Sequence, residues 1–256
     1  MGICIVFANQ KGGVGKTTST ANVGAYLAEA AKRVLLVDFD PQGNLSSSVG
    51  ADKSKPDIYA LLTGSAEFDQ VVQSTIVKNL FILPASANLT GATVELVDQK
   101  EREYFLKKAL AKCKPNFDFI LIDCPPSLGI LTVNGLTAAD QVIIPLQTEY
   151  FALEGLTQLV QTIKLIQKST NAALDIGGII FTMYDSRTKL AQDVVQEVIG
   201  YFGSRVFKTI IPRNVRLSEA PSHGVPINLY DASCPGARSY KLLASEVLER
   251  AAASTR

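Results

Sequence analysis

Two lysines bracket a glycine-rich run near the start of the chain, Lys11-Gly12-Gly13-Val14-Gly15-Lys16-Thr17-Thr18. Glycines let a backbone close around phosphate oxygens, because they carry no Cβ and accept positive φ. An apolar strand enters the run and a helix leaves it. The helix start adds aligned N–H groups and the positive end of its dipole. Lys16 is placed to reach the β- and γ-phosphates of a nucleotide, and the Thr17 hydroxyl to ligate Mg²⁺. The strict spacing G-x-x-x-x-G-K-[ST] is not met, because its first glycine would fall at Gln10. Lys11 makes poor structural sense in so short a turn unless it too is directed at phosphate.

Acidic residues close two apolar runs. Val34–Val37 ends in Asp38-Phe39-Asp40, and Phe119–Ile122 ends in Asp123-Cys124-Pro125-Pro126. Carboxylates at the carboxyl ends of parallel strands stand where open α/β sheets bind ligands. Asp123 suits the acid that orients hydrated Mg²⁺. Asp40 suits positioning or activating an attacking water. Asp38 is open to a second role, holding Mg²⁺ through water. Guanine-specific proteins of this kind carry N/T-K-x-D. The nearest run is Thr188-Lys189-Leu190-Ala191, where Ala191 breaks the pattern, so ATP is favoured.

These residues need elements to hold them. Apolar runs predict strands over Ile3–Ala8, Val34–Asp38, Leu80–Pro84, Phe119–Asp123, Gln141–Pro145, Ile176–Phe181 and Val206–Ile211. Most are nearly continuous Val, Ile, Leu and Phe, as strands covered on both faces should be. Helical stretches lie between them: Lys16–Ala31, Ala92–Lys112, Phe151–Ser169 and Lys189–Phe202, with a last one near Gly236–Ala252. Pro212–Pro226 reads as a long irregular stretch, which in a compact domain is usually functional or flexible. The alternation predicts an α/β fold, a doubly wound and mostly parallel sheet with helices on both faces. Residues 1–256 are read as a single domain.

Composition narrows the function classes. Lys+Arg is 25 against Asp+Glu 24, a net charge of +1, which excludes a polybasic protein but not a local basic patch. Such a patch runs from Lys208 to Arg216, where Lys208, Arg213 and Arg216 occur without an intervening acid. Cys4, Cys113, Cys124 and Cys234 form no C-x-x-C pair, so reduced thiols are expected rather than a zinc knuckle. No apolar run reaches the roughly 18–20 residues that span a bilayer. The first residues lack a charged signal-peptide region, and Val6 stands where a myristoylation signal needs Ser or Thr. A cytoplasmic protein is expected.

With these residues in view, the chain resembles the ParA/MinD class of P-loop ATPases with a deviant Walker A motif. Lys11–Thr18 matches that motif, Asp38–Asn44 its second motif and Ile120–Ser127 its Walker B segment. The runs Glu149–Leu156 and Ile211–Gly224 resemble the chromosomal ParA branch, the Soj-type proteins. The resemblance implies a P-loop NTPase domain and an Mg²⁺-dependent ATPase that is slow without its partner. Two ATP-loaded subunits would sandwich the nucleotides as a homodimer. Lys11 of each would reach the phosphates of the other, while Lys16 and Thr17 act in cis. Asp40 would position the hydrolytic water. Pro212 and Asn214 match family positions near the adenine, and Arg187 and Arg216 match DNA-contacting arginines. The dimer would bind double-stranded DNA without sequence preference, would be nucleoid-associated, and would be released by a ParB-type partner.

Other readings are weaker. A MinD-like membrane-cycling ATPase needs a basic amphipathic C-terminal helix. Glu246–Arg256 holds no large apolar residue after Leu248, so no membrane partner is expected. A nitrogenase-iron-protein-like carrier needs a cysteine where Ile130 stands. Intact Lys11, Lys16, Thr17, Asp40 and Asp123 argue against a non-catalytic scaffold. No helix-turn-helix domain precedes the P-loop, so operator-specific regulation is not expected.

Overall fold

The computed structural model describes residues 2–96 and 98–254. Its strands are β1 (Ile3–Phe7), β2 (Val34–Asp38), β3 (Gln73–Ser74), β4 (Leu80–Leu83), β5 (Phe119–Asp123), β6 (Gln141–Gln147) and β7 (Asp175–Thr182). They form one sheet in the order β3-β4-β2-β5-β1-β6-β7. Every neighbouring pair is parallel except β3 with β4. Central β2 and β5 are buried at every position, which is why VLLVD and FILID carry no polar residue before the final aspartate.

The longer helices are α1 (Lys16–Glu29), α2 (Leu89–Glu95), α3 (Phe105–Ala111), α4 (Ile130–Ala138), α5 (Ala152–Ser169), α6 (Lys189–Phe202) and α7 (Pro235–Ser254). They cover both faces of the sheet. Alternation along β1 divides the core: Cys4 and Val6 join Leu106, Leu136 and Leu159 on one face. Ile5 and Phe7 join Val23 and Leu27 of α1 and Tyr240 and Leu243 of α7 on the other. α1 lies close on the sheet because Gly24 is a glycine; a Cβ there would stand 2.6 Å from the Leu36 side chain. Among the described residues no helix is long and apolar enough to cross a membrane. All four cysteines are free and buried.

The register sets up the chemistry. Phe7 pairs with Asp123, and Asp38 pairs with Asp123. The carboxyl ends of β1, β2 and β5 therefore align at one edge.

Three sequence expectations are corrected. Ala92–Lys112 is not one helix; it is α2, a turn, a 3₁₀ turn at Arg102–Tyr104 and then α3. Glu101 has φ 55°, which no continuous helix contains. Asn134 of α4 stabilises the break, donating to the Arg102 carbonyl at 2.8 Å and accepting the Leu106 N–H at 3.1 Å. Val97, within that span, lies outside the described residues, as do Thr255 and Arg256 of the tail.

Val206–Ile211 is not a strand. It runs beside β7 with only isolated bridges at Val206 and Pro212. The Glu246 carboxylate of α7 takes the Lys208 and Thr209 N–H groups at 2.9 and 3.2 Å, so they are lost to the ladder. Pro212–Pro226 is also more ordered than expected, with a helix at Val215–Glu219 and a 3₁₀ turn at Ala220–His223.

α4 went unpredicted for a physical reason: it is buried nearly all round, at Leu131, Thr132, Asn134, Gly135, Leu136 and Thr137, so it has no apolar stripe to read. β6 runs two residues past its predicted end at Pro145, because its ladder with β7 continues through Leu146–Phe181 and Gln147–Thr182.

Candidate functional site

The loop after β1 is held at both ends. Buried Asn9 donates to the Pro145 carbonyl of β6 at 2.7 Å and accepts the Lys11 N–H at 3.0 Å. Thr182, the last residue of β7, donates to the Val14 carbonyl at 2.8 Å. Gly13 and Gly15 have φ of 71° and 83°, a region that L side chains rarely enter. Gly15 caps α1 with no side-chain hydrogen bond. The first N–H groups of α1 thus keep their donors for an anion.

The side chains sort by direction. Lys16 is only 6% exposed, and its Nζ donates to the Lys11 carbonyl at 3.1 Å, inside the loop. Burial lowers its pKa, against the attraction of Asp123, Cys124 and Asp40. The Lys11 side chain leaves the loop and forms an exposed ion pair with Glu149. Thr17 Oγ1 donates to Asp123 Oδ2 at 2.6 Å. Asp123 Oδ1 is buried with no hydrogen-bond partner.

Asp38 is fully engaged. Its Oδ2 accepts the Ser46 N–H at 2.7 Å and the Ser46 hydroxyl at 2.6 Å, and its Oδ1 accepts the Asp40 N–H at 3.3 Å. Ser46 Oγ also accepts the Ala85 N–H at 2.9 Å, tying the end of β2 to the chain leaving β4. Asp38 therefore fixes the loop that carries Asp40. Asp40 is 7% exposed and accepts the Gln42 N–H at 3.0 Å. Its carbonyl accepts the Gly43 N–H at 2.9 Å, closing the turn.

Two buried carboxylates side by side are costly. Burial pushes the Asp38 carboxyl from 3.8 up to about 6, held back by the bonds from Ser46. Burial, and then Asp38, drives Asp123 well above the carboxylate range against Thr17 and Lys16. A divalent cation would relieve both. The all-oxygen donor set, with a hydroxyl beside an unpartnered carboxylate oxygen, fits Mg²⁺.

A measurable pH dependence follows. Between pH 3.8 and about 6 the folded state keeps the Asp38 proton that the unfolded chain has lost. Stability without ligand therefore falls as pH rises through this window and stays lower above it. A shift of this size corresponds to about 3 kcal/mol. Without ligand, Asp38→Asn is expected to gain several degrees in Tm relative to wild type between about pH 5 and pH 7.5. A wild-type-minus-variant difference that ignores pH would reject the assignment.

A cavity of about 200 Å³ opens beside the start of α1, lined by Gly15, Thr18, Thr182, Pro212, Asn214 and Tyr240. Asn214 begins the Val215–Glu219 helix with extended backbone, and its Oδ1 is buried without a donor. That acceptor suits an N–H group on a flat ring. A larger cavity of about 460 Å³, by Gly2, Lys32 and Phe117, lies at the opposite ends of the strands, away from the carboxylates.

The structure thus gathers Gly12–Thr18, Asp38, Asp40, Asp123, Pro212 and Asn214 at one sheet edge. Arg187 and Arg216 stand outside it on a neighbouring surface. The Arg187 side chain is 86% exposed and clamps Asp185 with bonds of 2.8 and 2.7 Å, holding that carboxyl at about 2. Arg216 pairs with Glu219 at 2.9 Å and Asp231 at 3.6 Å. The Arg213 N–H donates to the Tyr184 carbonyl at 3.3 Å, bringing the two arginine-bearing segments together.

Sequence reasoning missed Asn9, Ser46 and Thr182. Asn9 and Thr182 support the site across 136 and 168 residues, Ser46 reaches Asp38 across only eight, and none sits in a run whose spacing announces a role.

A family model described as an AAA domain matches residues 2–176. The chromosome-partitioning ATPase Soj of Treponema pallidum is 65% identical over 250 residues, 98% of each chain. The sporulation initiation inhibitor protein Soj of Bacillus subtilis is 54% identical over 249 residues, 96% of this chain and 98% of that one. Among solved structures, a cobyrinic acid a,c-diamide synthase from Mycobacterium smegmatis with bound ADP and magnesium aligns with a TM-score of 0.86. It is 41% identical, covering 100% of this chain and 97% of that chain.

Proposed function

The chain belongs to the Soj/ParA family of chromosome-partitioning ATPases, and on that premise we propose that it works as an ATP-gated homodimer on DNA. It is an ATPase whose cofactors are ATP and Mg²⁺. The observation that carries the dimer reading is the split between its two lysines. Lys16 turns into the loop, whereas Lys11 turns out of it.

Phosphates are held by the N–H groups of Gly12–Thr18. Lys16 leaves the Lys11 carbonyl to meet them. Thr17 would hold the cation directly, and Asp123 and Asp38, paired on neighbouring strands, would hold it through water. Bound Mg²⁺ neutralises charge developing on the phosphoryl oxygens. Asp40 orients the attacking water from a turn held by Asp38 and Ser46. Asn214 Oδ1 accepts from the adenine amino group while Pro212 packs on the ring. Lys11 crosses to the other subunit's phosphates and acts there as a preorganised cation.

Arg187 and Arg216 exchange their carboxylate partners for DNA phosphates, contacts that position without reading sequence. One weak face per subunit becomes a useful site when dimerisation doubles it. A ParB-type partner stimulates hydrolysis and resets the cycle in the cytoplasm.

The test is binding to random-sequence duplex DNA without nucleotide, with ADP-Mg²⁺ and with a slowly hydrolysed ATP analogue plus Mg²⁺. Binding confined to the analogue is expected. Equal weak binding in all three would reject nucleotide gating. Arg187→Ala should keep nucleotide-dependent dimerisation and lower the salt slope of DNA binding by about 1 per lost phosphate contact. An unchanged slope would remove Arg187 from the DNA face.

A further inference from the structure

β6 ends at Gln147, and a tight turn follows. The Glu149 N–H donates to the Gln147 carbonyl at 2.9 Å, and the Glu149 carbonyl accepts the Ala152 N–H at 3.0 Å as α5 begins. This turn and the phosphate loop share one anchor, Asn9, which bonds to Pro145 of β6 and to Lys11. The anchor brings Glu149 to Lys11 across the mouth of the site. The two side chains pair while 47% and 43% exposed. Next to them Tyr150 and Phe151 are 74% and 66% exposed, with rings edge to face at 5.1 Å.

We propose that Glu149 is a positioning residue that holds Lys11 in cis in the free subunit, and that dimerisation must exchange this pair for the partner's phosphates. The proposal rests on the dimer reading above and adds its control. Lys11 cannot reach a second copy of the chain while Glu149 holds it. A second copy that meets Lys11 would also meet this exposed aromatic pair beside Glu149. The cis pair keeps Lys11 from the subunit's own phosphates and sets the protein concentration at which dimers form.

The size of the effect follows from exposure. Exposed ion pairs shift an equilibrium by a factor of about 1.4 to 5 each. Two are broken per dimer, so their removal should tighten dimerisation about 2- to 30-fold. Salt should shrink that difference, because exposed charges are screened.

Sedimentation of wild type, Glu149→Gln and Glu149→Asp with the slowly hydrolysed ATP analogue and Mg²⁺ tests this. Glu149→Gln is expected to dimerise at lower protein concentration, less so at high salt. Glu149→Asp should stay near wild type, and ADP affinity should be the same in all three. A Glu149→Gln midpoint equal to wild type, with wild type dimeric, overturns the cis hold and leaves the dimer reading standing. A midpoint at higher concentration would make Glu149 part of the intersubunit contact, which also overturns it. No dimer in any of the three overturns the dimer reading and the hold together.

Discussion

Lys16→Ala is expected to lose tight ATP binding, with affinity lower by at least about 30-fold. Lys16 is the buried cation of the site, 6% exposed and already desolvated. Most of its dehydration cost is met during folding, so its attraction to phosphate is realised on binding. Truncating one partner of a buried, hydrogen-bonded charge pair costs about 2–5 kcal/mol, which is about 30- to several-thousand-fold. A second loss adds to this. Lys16 is one of the groups that favour the charged form of Asp123. Without it Asp123 holds its proton more firmly and competes less well for Mg²⁺. Titration with a fluorescent ATP analogue reads both effects, with and without Mg²⁺. Undiminished affinity would reject the role of Lys16.

Asp40→Ala is expected to bind ATP, form the dimer and fail to turn over. Positioned acid–base groups contribute roughly 10²- to 10⁴-fold, so single-turnover hydrolysis should fall in that range. The fold should tolerate the change. The Gly43 N–H still finds the carbonyl of residue 40, and only the bond from the Gln42 N–H to the carboxylate is lost. That bond is worth about 1 kcal/mol. The dimer should then persist for as long as ATP stays bound, and DNA binding with it. Turnover at the wild-type rate would exclude Asp40 as the residue that positions water.

The sequence was most legible where structure is local. Strands buried on both faces read as unbroken apolar runs, so β2 and β5 have their predicted bounds. α6 also has its predicted bounds, because its apolar residues repeat at helical spacing. The phosphate loop was readable because its parts are contiguous. Reading failed where tertiary partners decide. Asn134 breaks the 92–112 helix, and Glu246 keeps 206–211 from joining the sheet. Glu149 reaches Lys11 from 138 residues away, and Thr182 reaches Val14 from 168. No spacing rule couples such positions. Their contacts appear only once the strand order places β6 and β7 beyond β1.

The Thr182 bond to the phosphate loop reaches further than holding Val14. β7 ends at Thr182, Met183 follows at φ 49°, and the chain runs directly into the Arg187 loop. The phosphate seat and the proposed DNA surface are thus separated by one hydrogen bond and a short stretch of chain. Thermodynamic linkage makes such traffic two-way. If ATP favours the loop arrangement that grips DNA, DNA favours by the same factor the arrangement that grips ATP. A subunit on DNA would then keep its nucleotide, and exchange would belong to the time spent off it. ATP hydrolysis would drive such a cycle, and the bond between one threonine and one carbonyl would couple its two halves.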